Sequence, residues 1–213
     1  MKVALIGASG FIGSKILVEA LNRGHQVTGI VRNVTKLPQL DNLIAKKGDI
    51  YKTDEITELI KGHDALISSF NPGWTDPEIY KHTLDGAHSI MDAVKKSGIP
   101  RLLVVGGAGS LEVTPGVMLI DTPQFPKEYM DGARGLVEFL YLLKNDNELN
   151  WTFLSPSIVI APGERTGKFR LGIDQVLFDE KRESKISVED FAIAMVDELE
   201  NPKHIRSRFT VGY

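Results

Sequence analysis

The chain has 213 residues, with 25 Lys+Arg against 28 Asp+Glu and a formal net charge of −3. A chain of this size buries roughly 70 % of its unfolded surface, and the absence of cysteine excludes disulfides, thiolate catalysis, Cys-ligated zinc and thiolate-held iron–sulfur clusters. The slight negative charge argues against nucleic acid, which needs clustered Lys/Arg, and no apolar run approaches the ~18 residues that span a bilayer. The apolar start after Lys2 breaks at Gly7, too short for a signal core. The expectation is a cytoplasmic protein whose partner is a small molecule, with no nucleic acid and no membrane. The 20 glycines exceed the usual ~7 %, so their positions matter.

Short apolar runs alternate with amphipathic stretches, the βαβ pattern of a mainly parallel sheet. Val3–Ile6 reads as a buried strand and Phe11–Arg23 as a helix, with Ile12, Ile16 and Ala20 on one stripe. Strands follow at Gln26–Val31 and Leu43–Lys47, then a helix capped by Thr53. Ala65–Ser68 and Leu102–Val105 flank a long helix from about Pro77 to Lys96, closed by Gly98 and Pro100. A helix from about Lys127 to Lys144 precedes the strand Trp151–Leu154. Beyond Pro156 the pattern loosens, with short strands expected at Lys168–Leu171 and Val176–Phe178. Ser187-Val188-Glu189-Asp190 then resembles a capping box opening a helix, and Arg208–Val211 is a last strand. The fold class is α/β: a Rossmann-like doubly wound parallel sheet, residues 1–213 forming one domain, with about 157–213 contributing a small C-terminal lobe on the substrate side.

The chemistry begins at Gly7-Ala8-Ser9-Gly10-Phe11-Ile12-Gly13, between the first strand and the first helix. There Gly7 permits a tight turn, Gly10 lets backbone approach a pyrophosphate, and Gly13 allows close helix–strand packing. The helix start offers free N–H groups and a positive dipole end to phosphates. A dinucleotide is the expected ligand. Dinucleotide folds that take NAD place a carboxylate at the end of the second strand for the ribose 2′-OH. This strand ends in Val31-Arg32-Asn33 with Lys36 nearby, and a guanidinium there suits a 2′-phosphate. NADP(H) is therefore preferred over NAD(H).

The GxxGxxG spacing resembles the short-chain dehydrogenase/reductase superfamily, in its extended and atypical branches. The resemblance extends over nearly the whole chain, through Val31-Arg32-Asn33, Lys47-Gly48-Asp49-Ile50, Val104–Ser110, Trp151–Pro156 and Ser187–Ala192. Together these look most like the atypical NAD(P)H-binding group, which includes NmrA-like proteins and NADPH-dependent flavin or biliverdin reductases. That resemblance implies that Ser9, Phe11 and Ile12 share in cofactor binding and that Asp49 contacts the adenine amino group with Ile50 beside the ring. It places Ser68, Ser69 and Phe70 near the riboses, the backbone of Gly106 and Gly107 beside the nicotinamide, and Pro156, Ser157 and Ile158 at its carboxamide.

The superfamily's usual chemistry relies on a YxxxK pair, in which lysine lowers the tyrosine pKa for proton exchange. Here Tyr129 begins the corresponding helix, but Ala133 stands where lysine belongs. Arg134 is one place late, ~100° around the helix, and no other tyrosine of the chain has lysine four residues on. Ser110 lies close to the superfamily serine, either donating to a substrate carbonyl or shaping a turn. Ser110 and Tyr129 are thus weak catalytic candidates. Chemistry that survives without the pair is hydride transfer to an acceptor already electron-poor, a flavin or quinone that collects its proton from water. The first reading is an NADPH-dependent reductase of such an acceptor. The alternatives are a sugar-nucleotide epimerase or dehydratase, and a non-catalytic NmrA-like redox sensor. His82 and His88 are six residues apart, so they do not chelate as i, i+4 partners do, and no metal site is expected. The cationic loop Pro162–Arg170 either faces the substrate cleft or is a solvated surface.

Overall fold

Strands β1 (Lys2–Ile6), β2 (Gln26–Val31), β4 (Ala65–Ser68), β5 (Leu102–Val105) and β8 (Trp151–Ser155) are apolar runs buried almost throughout, as strands covered on both faces must be. The structure, a computed structural model, describes residues 1–213. With β3 (Leu43–Lys47), β10 (Arg170–Gly172) and β12 (Ser207–Gly212), these strands form an eight-stranded sheet in the order β10-β12-β8-β5-β4-β1-β2-β3. All neighbours pair in parallel except β10, which is antiparallel to β12 at one edge. The chain moves outward from β1 to β2 and β3, then returns to β4 on the other side of β1. That reversal opens a crevice at the carboxyl ends of the strands.

Alternate strand residues feed two cores. Val3 and Leu5 join α1 (Gly13–Asn22) and α5 (Val188–Glu200) through Ile16, Leu17, Phe191 and Met195. Ala4 and Ile6 join α2 (Thr53–Ile60), α3 (Ile79–Ser97) and α4 (Met130–Lys144) through Ile56, Ile90 and Phe139. The expected doubly wound α/β architecture is therefore present.

Departures from the sequence reading are local. Helix α1 starts at Gly13, not Phe11, because the chain first turns through Ser9–Ile12. Thr53 is the first residue of α2 and not its cap; its hydroxyl pairs with Ser89 Oγ at 3.0 Å on α3. Val176–Phe178 is not a strand: Val176 donates to the carbonyl of Glu112 across a lone bridge. Four short strands were not anticipated. These are β6 (Glu112–Thr114) with β7 (Val117–Met118), and β9 (Val159–Ala161) with β11 (Lys185–Ser187). The C-terminal segment divides its work: α5, β10 and β12 complete the main sheet layers, while the β9–β11 pair borders the crevice.

Candidate functional site

A cleft of about 880 Å³ runs along the carboxyl ends of β1, β2, β4, β5 and β8, within the ~300–1,000 Å³ range of small-molecule sites. At its floor the chain leaves β1 through Gly7, at φ +78°. A Cβ on Gly7 would lie 2.5 Å from the carbonyl oxygen of Ser69, and one on Gly13 only 2.1 Å from that of Gly7. Larger residues at either position would separate α1 from the strands and open the turn. Helix α1 has no side-chain cap, and the N–H groups of Phe11, Ile12 and Gly13 find no acceptor within the chain. Orphan donors at a helix start that faces a cleft form a phosphate site.

Arg32, exposed at the end of β2, is the single charged residue in the cleft wall. Next to it Asn33 accepts from the amide and hydroxyl of Thr35 at 3.0 and 2.8 Å, which fixes the 3-10 turn Val34–Lys36 at the rim. Ile50 and Tyr51 form the wall below. The Tyr51 ring meets Phe70 edge-on at 6.0 Å. Partial burial, aided by the charge of Asp76, pushes its phenol above the usual value while Arg32 opposes this, so the phenol is neutral at neutral pH.

The far half of the cleft differs in character. Val105, Leu119, Phe125, Pro126, Ala133 and Leu136 line it, with Trp74, Tyr129, Ile158 and Val159 around the mouth. Trp74 and Tyr129 meet edge to face with centroids 5.1 Å apart. Ala133, at the position where a YxxxK lysine would stand, is buried. No carboxylate, imidazole or ammonium lines this half.

A family model described as NAD(P)H-binding matches residues 7–202, spanning the glycine turn, the cleft and α5. The chain belongs to the NAD(P)H-binding family. Relatives cover it end to end. The Bacillus subtilis protein YwnB is 44 % identical over 215 residues, covering 99 % of this chain and 98 % of its own. A Bacteroides thetaiotaomicron structure, described as a candidate epimerase, is 48 % identical with a TM-score of 0.94, covering 100 % of this chain and 96 % of the other. A Streptococcus pneumoniae structure, described as a candidate NADH-flavin reductase, is 36 % identical with a TM-score of 0.89, covering 100 % and 99 %. The protein is thus an NAD(P)-binding Rossmann protein of an oxidoreductase family, and no helix is long and apolar enough to cross a membrane.

Against that frame the cleft gathers Gly7, Ser9, Gly10, Phe11, Ile12, Arg32, Ile50, Ser69, Phe70, Gly106, Gly107, Tyr129, Pro156, Ser157 and Ile158 into one wall. The other expected residues stand behind it. Gly13 supports the turn; Asp49 accepts from the Tyr51 amide at 3.2 Å; Ser68 is buried, its hydroxyl facing the Phe70 amide. Ser110 is buried too, and its carbonyl and hydroxyl accept from Arg208 Nη1 at 2.8 and 3.2 Å. Arg208 also pairs with Asp174, so Ser110 anchors the loop after β5 to β12.

The loop Pro162–Arg170 contributes nothing to the cleft wall. Arg165 instead forks onto Glu19 of α1, both contacts at 2.8 Å, and Asp190 of α5 accepts from the amides of Thr166 and Gly167. Residues the sequence reading did not single out include Tyr51, Leu119, Gln124, Phe125 and Leu136. Apart from the Pro115-Gly116 turn, with Gly116 at φ +79°, nothing in the stretch from 111 to 126 marks it as a cleft wall.

Proposed function

We propose that the protein is an NADPH-dependent reductase that delivers hydride to a small conjugated acceptor of flavin or quinone type. The observation that carries this reading is one continuous cleft with an orphaned helix start and an arginine at one end and an uncharged chamber without an acid–base pair at the other. The free amides of Phe11, Ile12 and Gly13 would hold the pyrophosphate, and Arg32 the 2′-phosphate. Ile50 would pack at the adenine, with Asp49 behind it, Ser69 and Phe70 would meet the riboses, and Pro156–Ile158 would face the carboxamide. When bound, the cofactor supplies a hydride at its nicotinamide ring. The chain's part is orientation and water exclusion by Gly106, Gly107, Leu136 and Ile158. Because Ala133 replaces lysine, Tyr129 has no cation to ease its deprotonation. Reactions needing proton exchange at a hydroxyl are therefore disfavoured, whereas an electron-poor ring takes its proton from solvent. Reduced nicotinamide is generated in the cytoplasm, so the reading carries a cytoplasmic location.

Absorbance at the nicotinamide band decides between readings when the protein is offered NADPH with flavins, quinones and nucleotide sugars. Oxidation with a flavin or quinone is the expected result. Conversion of a nucleotide sugar without net cofactor use would replace this reading with the epimerase that the Bacteroides relative's description suggests. Tight NADPH binding with no turnover on any acceptor would leave a redox sensor, which the missing lysine favours. Arg32→Asp should weaken NADPH at least ~100-fold, a loss of a charge-assisted fork, and barely change NADH; equal losses would remove the preference for NADPH.

A further inference from the structure

The chamber's walls, together with the cofactor's own charges, restrict what can enter. Arg32 sits at the other end of the cleft wall, and the chamber itself offers Gln124, Asn71, Ser157, the Tyr129 hydroxyl and the Trp74 indole N–H as polar groups, none of them charged. Ser157 is committed, donating to the carbonyl of Val211 at 2.8 Å. A phosphate or sulfonate entering here would lose its hydration to apolar walls with no cation in return, beside the negative charge of the bound dinucleotide. The mouth, by contrast, carries apolar side chains in the open, two of them flat rings: Trp74 is 53 % and Tyr129 45 % exposed, with Val159 at 55 % beside them. Exposed aromatic surface rimming an apolar cleft marks a ligand face. The Trp74 indole is seated on the bare backbone of α4, where a Cβ on Gly132 would come within 2.7 Å of Trp74 Cζ3.

We propose that this chamber selects an uncharged, planar aromatic acceptor lying against the Trp74 indole, and rejects acceptors whose ring carries an anionic group. The proposal rests on the reductase reading and narrows it from flavins and quinones at large to members without ring-borne charge. In the reaction one hydride passes from the reduced nicotinamide and one proton from water to the acceptor. The products are the oxidised nicotinamide and the two-electron-reduced acceptor.

A matched pair tests it: 1,2-naphthoquinone and 1,2-naphthoquinone-4-sulfonate, with NADPH saturating and the uncatalysed rate subtracted. The sulfonate is the more electron-poor ring, so intrinsic reactivity works against the proposal. The expected result is a kcat/KM at least ~10-fold lower for the sulfonate, with the difference in KM. Comparable or better use of the sulfonate overturns the proposal while leaving the reductase reading intact. If neither quinone is turned over, the selection is read from binding to the NADP⁺-loaded protein, and the reductase reading is decided separately by the flavin arm of the absorbance assay. The chain has two tryptophans, and Trp151 is buried at 2 % exposure, so quenching by a cleft ligand reports on Trp74. Quenching by the neutral quinone and not by the sulfonate, lost in Trp74→Phe, sustains the proposal. Equal quenching by both, or by neither, overturns it.

Discussion

Ala133 and Gly132 together convert a position of proton chemistry into a wall. Ala133 is buried against the loop after β5, where a Cβ on Gly109 would lie 3.2 Å from its own. The neighbouring glycine leaves just enough room for the Trp74 indole. Gly132→Ala separates these effects. Alanine favours a helix by about 1 kcal/mol over glycine, so α4 gains local propensity while the new methyl displaces the indole. The expected outcome is unchanged far-UV circular dichroism and unchanged NADPH affinity, with the acceptor KM raised about 5-fold or more. An unchanged KM would mean that the indole's seat is unimportant to acceptor binding.

Helices α1 and α5 are joined through a loop that the sequence left either at the cleft or in solvent. Glu19 is buried on α1 yet accepts from Arg165 and Arg23. The Arg165 hydrogen bond, followed by that of Arg23, holds its carboxyl below the ordinary 4.5 against the opposing effect of burial. A carboxylate whose folded pKa is depressed contributes stability that is fully present above its unfolded value and fades as pH falls through the folded one. Urea midpoints should therefore be flat in this respect above about pH 5 and decline below pH 4.5; Glu19→Gln should lower the neutral-pH midpoint and flatten that decline. A wild-type slope in the variant would place the acid sensitivity elsewhere. The same contrast explains what could be read from sequence. Strands buried on both faces announce themselves as apolar runs bounded by turns, and β2, β4 and β5 fall where those runs lie. The Gly7–Gly13 turn was legible because backbone geometry alone demands its glycines. Three-residue strands such as β9 and β11 are too short to carry a period. Side-chain direction was harder still, because one residue reverses the face in extended chain: Ser69 reaches the cleft and Ser68 does not. The chamber residues Leu119, Phe125 and Leu136 come together only when the segment after β5 folds back over α4, a tertiary event with no local signature.

On the scale of the whole molecule, the cleft lies across the switch point between β1 and β4, touching residues from both halves of the sheet, from α2 and α4, and from the turn that leads into α1. Cofactor binding is therefore linked to global unfolding, since ordered Gly7–Gly13, Arg32 and Pro156–Ile158 exist together only in the folded chain. At a ligand concentration of about 100 Kd, binding to the folded state adds ~2.7 kcal/mol. For a chain of 213 residues, each 1 kcal/mol moves Tm by roughly 2–4 °C, so NADP⁺ at that concentration should raise Tm by about 5–10 °C. Arg32→Asp should abolish most of this shift for NADP⁺ at the same concentration and retain the smaller one given by NAD⁺. Gly13→Ala should remove both, because its Cβ meets the Gly7 carbonyl and opens the turn that presents the free amides. A thermal shift that survives Gly13→Ala would locate dinucleotide binding outside this cleft, and would remove the basis for reading its far end as an acceptor chamber.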